Sequence, residues 1–67
     1  MNNGMLVKEW RNNKGLSLRG VAAKTGLSFS LLGKIERGEC PISYRVALRL
    51  GKAMKRSWKY ICDEGRP

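Results

Sequence analysis

With 67 residues, the chain has room for one compact domain and little core, so idealised packing, a partner subunit or a staple must make up the difference. Fourteen Lys and Arg against five Asp and Glu leave +9 on 7.6 kDa; a nucleic-acid partner explains that field better than a basic membrane-surface binder or a merely solubilising face. The lack of histidine and the isolated Cys40 and Cys62 argue against a zinc site, the absence of a nucleophile–base pair or phosphate loop against an enzyme, and the absence of a long apolar run against a membrane span.

No signal-peptide pattern is present, which predicts a cytoplasmic protein with both cysteines reduced. Residues 1–4 read as a disordered start, 5–62 as the folded domain and 63–67 as a polar, frayed tail. From Met5 to Lys14, Leu6, Val7 and Trp10 share one helical face, and Lys14-Gly15 closes that helix. Ser17 has the chemistry of an N-cap for a second helix, Leu18 to about Thr25, with Leu18, Val21, Ala22 and Thr25 facing inward. Gly26 stops it and permits the left-handed turn that follows. Ser28 then caps a third helix, Phe29–Arg37, which buries Leu32 and Ile35 and ends at Gly38. After a loop at 39–42, Ser43 caps a fourth helix, Tyr44 to about Lys55, with Val46, Ala47, Leu50, Ala53 and Met54 inward. Ser57 opens a short fifth helix through Trp58, Ile61 and Cys62.

The spacing from Leu18 to Arg37 satisfies three steric demands of two short helices crossing steeply through a tight turn. Ala22 is small where the helices come closest. Gly26, four residues on, tolerates positive φ. Leu32 and Ile35 point back at the first helix of the pair, and Val21, Thr25 and Leu27 complete the packing. The set in register is far more specific than a lone glycine between helices.

At these residues the sequence resembles the Cro/repressor-type (XRE-like) helix-turn-helix proteins of phages and bacteria. The resemblance rests on Lys14-Gly15-Leu16-Ser17, Val21-Ala22, Lys24-Thr25-Gly26-Leu27-Ser28 and Ile35-Glu36-Arg37-Gly38, and continues weakly through Ala47–Met54. A looser likeness, from Ile42-Ser43 to Met54 and at Ser57-Trp58, is to HigA-type antitoxins. The resemblance implies an all-α, five-helix, lambda-repressor-like domain that binds double-stranded DNA as a homodimer on a near-palindromic operator, without a cofactor. It also implies a structural ion pair between Arg11 and Glu36. A sequence-specific regulator, most simply a repressor, is the reading it favours; an antitoxin or adaptor with a protein partner, toxin or regulator, is the alternative.

On the third helix, the side opposite Leu32 and Ile35 carries the candidate base-reading residues Ser28, Phe29, Ser30 and Lys34. Phe29 either covers thymine methyls or folds back into the core. Gly33, mid-helix on that face, either admits close approach of the DNA backbone or is a tolerated defect. Arg19, Arg37, Tyr44 and Arg45 are the candidate phosphate contacts with Gly33. Trp58, Tyr60 and Ile61 either finish the core or form a two-fold interface.

Overall fold

The computed structural model describes residues 3–63. It holds four α-helices, α1 (Gly4–Asn13), α2 (Leu18–Thr25), α3 (Phe29–Glu36) and α4 (Tyr44–Met54), followed by a 3-10 turn at Trp58–Tyr60. No strand occurs among the described residues. The all-α class follows from the sequence pattern, but the expected fifth α-helix is this single tight turn. Ile61 leaves helical backbone at φ −122° and turns into the core, and Asp63 is bonded to Ile42 and Asn3, so the chain does not continue as a helix.

Serine chemistry sets the helix starts. Ser17, Ser28 and Ser43 hold extended backbone, and each Oγ accepts from the amide three residues on: Gly20 at 3.0 Å, Leu31 at 3.0 Å and Val46 at 3.3 Å. Each bond satisfies one of the amides that a helix start leaves without a partner. Ser57 Oγ accepts from the Lys59 amide, two residues on, at 3.3 Å and opens the 3-10 turn.

The helices converge on Val7, Val21, Leu32, Ile35, Ile42, Ala47, Leu50, Met54 and Ile61. Leu6, Trp10, Leu18, Ala22 and Trp58 lie half-buried at the margin of this core. Ile42 comes from the loop before α4 and is nonetheless fully buried. Ile61 does likewise beyond the 3-10 turn, so this residue belongs to the core of the single chain and not to an exposed two-fold interface.

The two ends of the described chain meet. The Asn3 amide donates to Asp63 Oδ1 and the Ile42 amide to Asp63 Oδ2, both at 2.7 Å, while Asn3 Nδ2 donates to the Ile61 carbonyl at 3.1 Å. A disordered start over 1–4 is therefore corrected at Asn3 and Gly4. Gly4 is buried in the first turn of α1. Asp63 is likewise a bonded residue and not part of a frayed tail. Residues 1–2 and 64–67 lie outside the described range.

Helix α4 ends one residue before the expected Lys55, which takes a left-handed conformation at φ 58°. The Arg56 amide bonds back to the Gly51 carbonyl at 2.8 Å, and the chain doubles over Gly51. A Cβ at Gly51 would stand 2.7 Å from the Arg56 carbonyl oxygen and 3.3 Å from the Trp58 nitrogen. Both are backbone atoms that no side-chain rotation relieves. Gly51→Ala is expected to cost about 1–3 kcal/mol from overpacking, a fall in Tm on the order of 10 °C for a domain of this size. Thermal denaturation followed by circular dichroism measures it, and an unchanged Tm would show that the return past Gly51 is looser than described.

Candidate nucleic-acid interface

The geometry of the site begins at the turn between α2 and α3. Gly26 takes φ 74°, and its amide closes α2 onto the Ala22 carbonyl at 2.8 Å. Thr25, buried beneath, uses its hydroxyl twice: it donates to the Val21 carbonyl at 2.8 Å and accepts from the Leu27 amide at 3.2 Å. Arg49 reaches across from α4 and donates from Nη1 to the Thr25 carbonyl at 3.1 Å, capping the end of α2. The same nitrogen would lie 3.0 Å from a Cβ at Gly26. Arg49 was not among the residues singled out from the sequence. On α4 it reads as one more surface cation, and no local pattern links it to a turn 24 residues earlier.

Arg11 fixes the other side of the pair. Its Nε and Nη2 donate to the two carboxylate oxygens of Glu36 at 2.8 and 2.9 Å, and its Nη1 donates to the Leu16 carbonyl at 3.1 Å. One guanidinium thus ties α1 to the end of α3 and to the loop entering α2. The side chains keep only 15% and 7% exposure. The hydrogen bond to Glu36 and its charge raise the Arg11 pKa, against the opposing effect of burial.

With Leu32 and Ile35 buried, α3 turns Phe29, Ser30, Lys34 and Arg37 outward. Phe29 is 44% exposed and does not fold into the core. At about 100° per residue its direction falls roughly a quarter-turn from the midline of the inward stripe. The Arg19 guanidinium, from the start of α2, lies over its ring with Cζ 4.9 Å from the centroid. Ser28 sits beside them, exposed, with its Oγ occupied by the cap bond.

Three expectations need correction. Gly33 is buried and not an open point of approach. The Arg37 guanidinium covers it, with Nη1 3.2 Å from where a Cβ would stand. Tyr44 is half-buried, its ring meeting Trp58 edge-on at 4.8 Å and 86°, so the ring braces the turn after α4 instead of standing free on the surface. That contact also half-buries Trp58, which leaves Tyr60, 47% exposed beneath the Arg56 guanidinium, as the remaining apolar residue of the expected two-fold surface.

Arg37 is held over Gly33 by Glu39, to whose Oε2 its Nε donates at 2.5 Å. Both side chains are more than half exposed, so the pair directs Arg37 more than it stabilises the fold. The hydrogen bond from Arg37, then its charge, holds the Glu39 carboxyl below the ordinary carboxylate value. The pair is therefore intact at neutral pH and is lost as the pH falls through that depressed value. Arg45 stands exposed near the start of α4. Among the described residues, no three His, Cys, Asp or Glu side chains converge as metal ligands, and no helix is long and apolar enough to cross a membrane.

A family model described as a helix-turn-helix domain matches residues 4–57. The chain belongs to the helix-turn-helix family. The family model and the structural neighbours below support the Cro/XRE type. No curated protein matches the sequence. Among solved structures, the SinR–SinI protein complex contains a chain 30% identical with a TM-score of 0.81, over 92% of this chain and 61% of that one. This helix-turn-helix chain thus spans less than two thirds of that relative. The restriction-modification controller protein C.AhdI from Aeromonas hydrophila is 34% identical with a TM-score of 0.76, over 84% of this chain and 85% of its own. The N-terminal DNA-binding domain of the biofilm regulator SinR from Bacillus subtilis is 30% identical with a TM-score of 0.77, over 100% of this chain and 97% of that one. The family and these neighbours are DNA-binding transcription regulators and not enzymes.

In the helix-turn-helix frame, the Arg11–Glu36 pair sets where α3 ends. Glu36→Gln leaves a largely buried guanidinium without its counter-charge and is expected to cost about 3 kcal/mol. Urea denaturation measures the loss. Replacing both partners with apolar residues, as in Arg11→Met with Glu36→Leu, is expected to recover part of it. A Glu36→Gln variant as stable as the parent would show that the pair is effectively solvated.

Proposed function

We propose that this chain is a sequence-specific DNA-binding transcriptional regulator, a repressor that occupies a near-palindromic operator as a homodimer. The observation that carries the reading is the outward face of α3. Ser30, Lys34 and Arg37 project from a helix whose other side is locked by Leu32, Ile35 and Glu36. A helix entering the major groove with its leading end needs a polar, cationic surface on a rigid support. In this reading Ser30 bonds either base type, and Lys34 reaches a guanine O6/N7 edge or a phosphate. Ser28 and Phe29 complete the leading turn. Arg19, Arg37 and Arg45 flank it and bind phosphates, Arg37 by leaving Glu39.

Charge supports the same reading. Glu36 and Asp63 are committed to partners within the fold, while Glu39 stands at the edge of the α3 face, paired with Arg37, so the +9 balance is offset there only in part. A homodimer would set two copies of α3 about 34–36 Å apart, one duplex turn. The relative seen in complex with SinI favours a second, compatible element, a protein partner that regulates DNA binding.

Fluorescence-anisotropy titration on the DNA flanking the gene, against scrambled DNA at several salt concentrations, tests the proposal. Six phosphate contacts per dimer, three per protomer, predict a log–log salt slope of about −5, with the native sequence bound on the order of 1,000-fold tighter. Lys34→Ala is expected to weaken native-site binding by about 10-fold or more while scrambled DNA is less affected. Equal affinity for the two sequences would sink the specific-regulator reading.

A further inference from the structure

Phe29 is a costly residue to leave in water. Burying such a ring stabilises a fold, yet here it stands 44% exposed at the first position of α3. The helix start does not require it, because Ser28 supplies the cap. The core does not use it either, because Leu32 and Ile35 fill the inward stripe of α3. What the ring does engage is Arg19, whose guanidinium it holds from the neighbouring helix at 4.9 Å. That contact restrains a long cation that otherwise samples many rotamers.

An apolar surface at the leading end of a helix destined for the major groove matches one chemical group on a base edge. That group is the C5-methyl of a pyrimidine, carried by thymine and by 5-methylcytosine. A cation stacked on the ring beside it lies next to the phosphates that flank such a base. We infer that Phe29 and Arg19 form one composite reader of a C5-methylated pyrimidine. The ring packs on the methyl, and Arg19, oriented by the ring, binds the adjoining phosphate. The inference rests on α3 being the recognition helix, as proposed above. It adds that the site is sensitive to the methyl group itself, independently of the hydrogen-bonding edge of the base.

Uracil scanning isolates that group, since uracil differs from thymine only by the methyl. The operator is first selected from random duplexes with the full chain. Each thymine is then replaced singly by uracil, and Kd is measured for the parent, Phe29→Ala and Phe29→Leu. At one thymine in each half-site, uracil is expected to weaken the parent by about fourfold, the loss of one buried methyl group. Phe29→Ala is expected to bind thymine and uracil equally there. Phe29→Leu is expected to retain part of the preference but lose the restraint on Arg19. Thermal melting verifies that these exposed-site variants fold.

Indifference of the parent to uracil at every position overturns the inference, as does an unchanged preference in Phe29→Ala or a selected operator without thymine in its half-sites. In those cases the regulator reading still stands on the enriched sequence. If no sequence is enriched, the recognition-helix reading fails and takes this inference with it.

Discussion

The angle between α2 and α3 is set at a single left-handed residue, Gly26, and the bonds around it leave that angle little freedom. Thr25 spends its buried hydroxyl on both sides of the turn, and Arg49 closes the end of α2 from a different helix. A turn of this kind, made only of local contacts, would be free to hinge. Here it is held from α4, so the direction in which α3 points is a property of the whole domain. The leading end of a reading helix needs that rigidity, because a side chain displaced by an ångström no longer meets a base edge.

The same logic recurs at the edges of the domain. Arg11 joins three segments through one guanidinium, and Asp63 gathers both ends of the described chain with the loop before α4. A small core cannot supply rigidity by packing alone. Polar groups that each satisfy two or three partners supply it at the periphery. Desolvating them is expensive, so they serve position more than net stability. The outward face of α3 is the complement of this arrangement. Its side chains carry little responsibility for the fold and are available to a partner.

What the sequence conveyed best was local. Serines that cap the helix starts, and glycine where the chain must turn left-handed, act over a few residues, and the limits they imply for the four α-helices agree with the structure to within about a residue. What it did not convey was contact at a distance. Arg49 at the turn, Ile42 in the core and Asp63 at Asn3 are joined to their partners by folding, and nothing in their neighbours announces it. Phe29 shows the difference well. Periodicity left it between core and surface, and only the placement of Arg19 beside it, from another helix, decides in favour of the surface. At Gly33 the pattern also left two readings open. The missing side chain fitted open access or a tolerated defect, and an arginine one helical turn later occupies the space.

The central claim is that the face made by the starts of α2 and α3 meets DNA. A second basic surface competes with it: the cleft between the end of α2 and the outer side of α4, lined by Lys24, Leu48, Arg49 and Lys52. Amide chemical-shift changes on titrating the isotope-labelled chain with its selected operator separate the two most directly. The account predicts the largest changes at Arg19, Phe29, Ser30, Lys34 and Arg37, with Lys24, Leu48 and Lys52 little moved. Changes centred on Lys24, Leu48 and Lys52, with the start of α3 unperturbed, would contradict it.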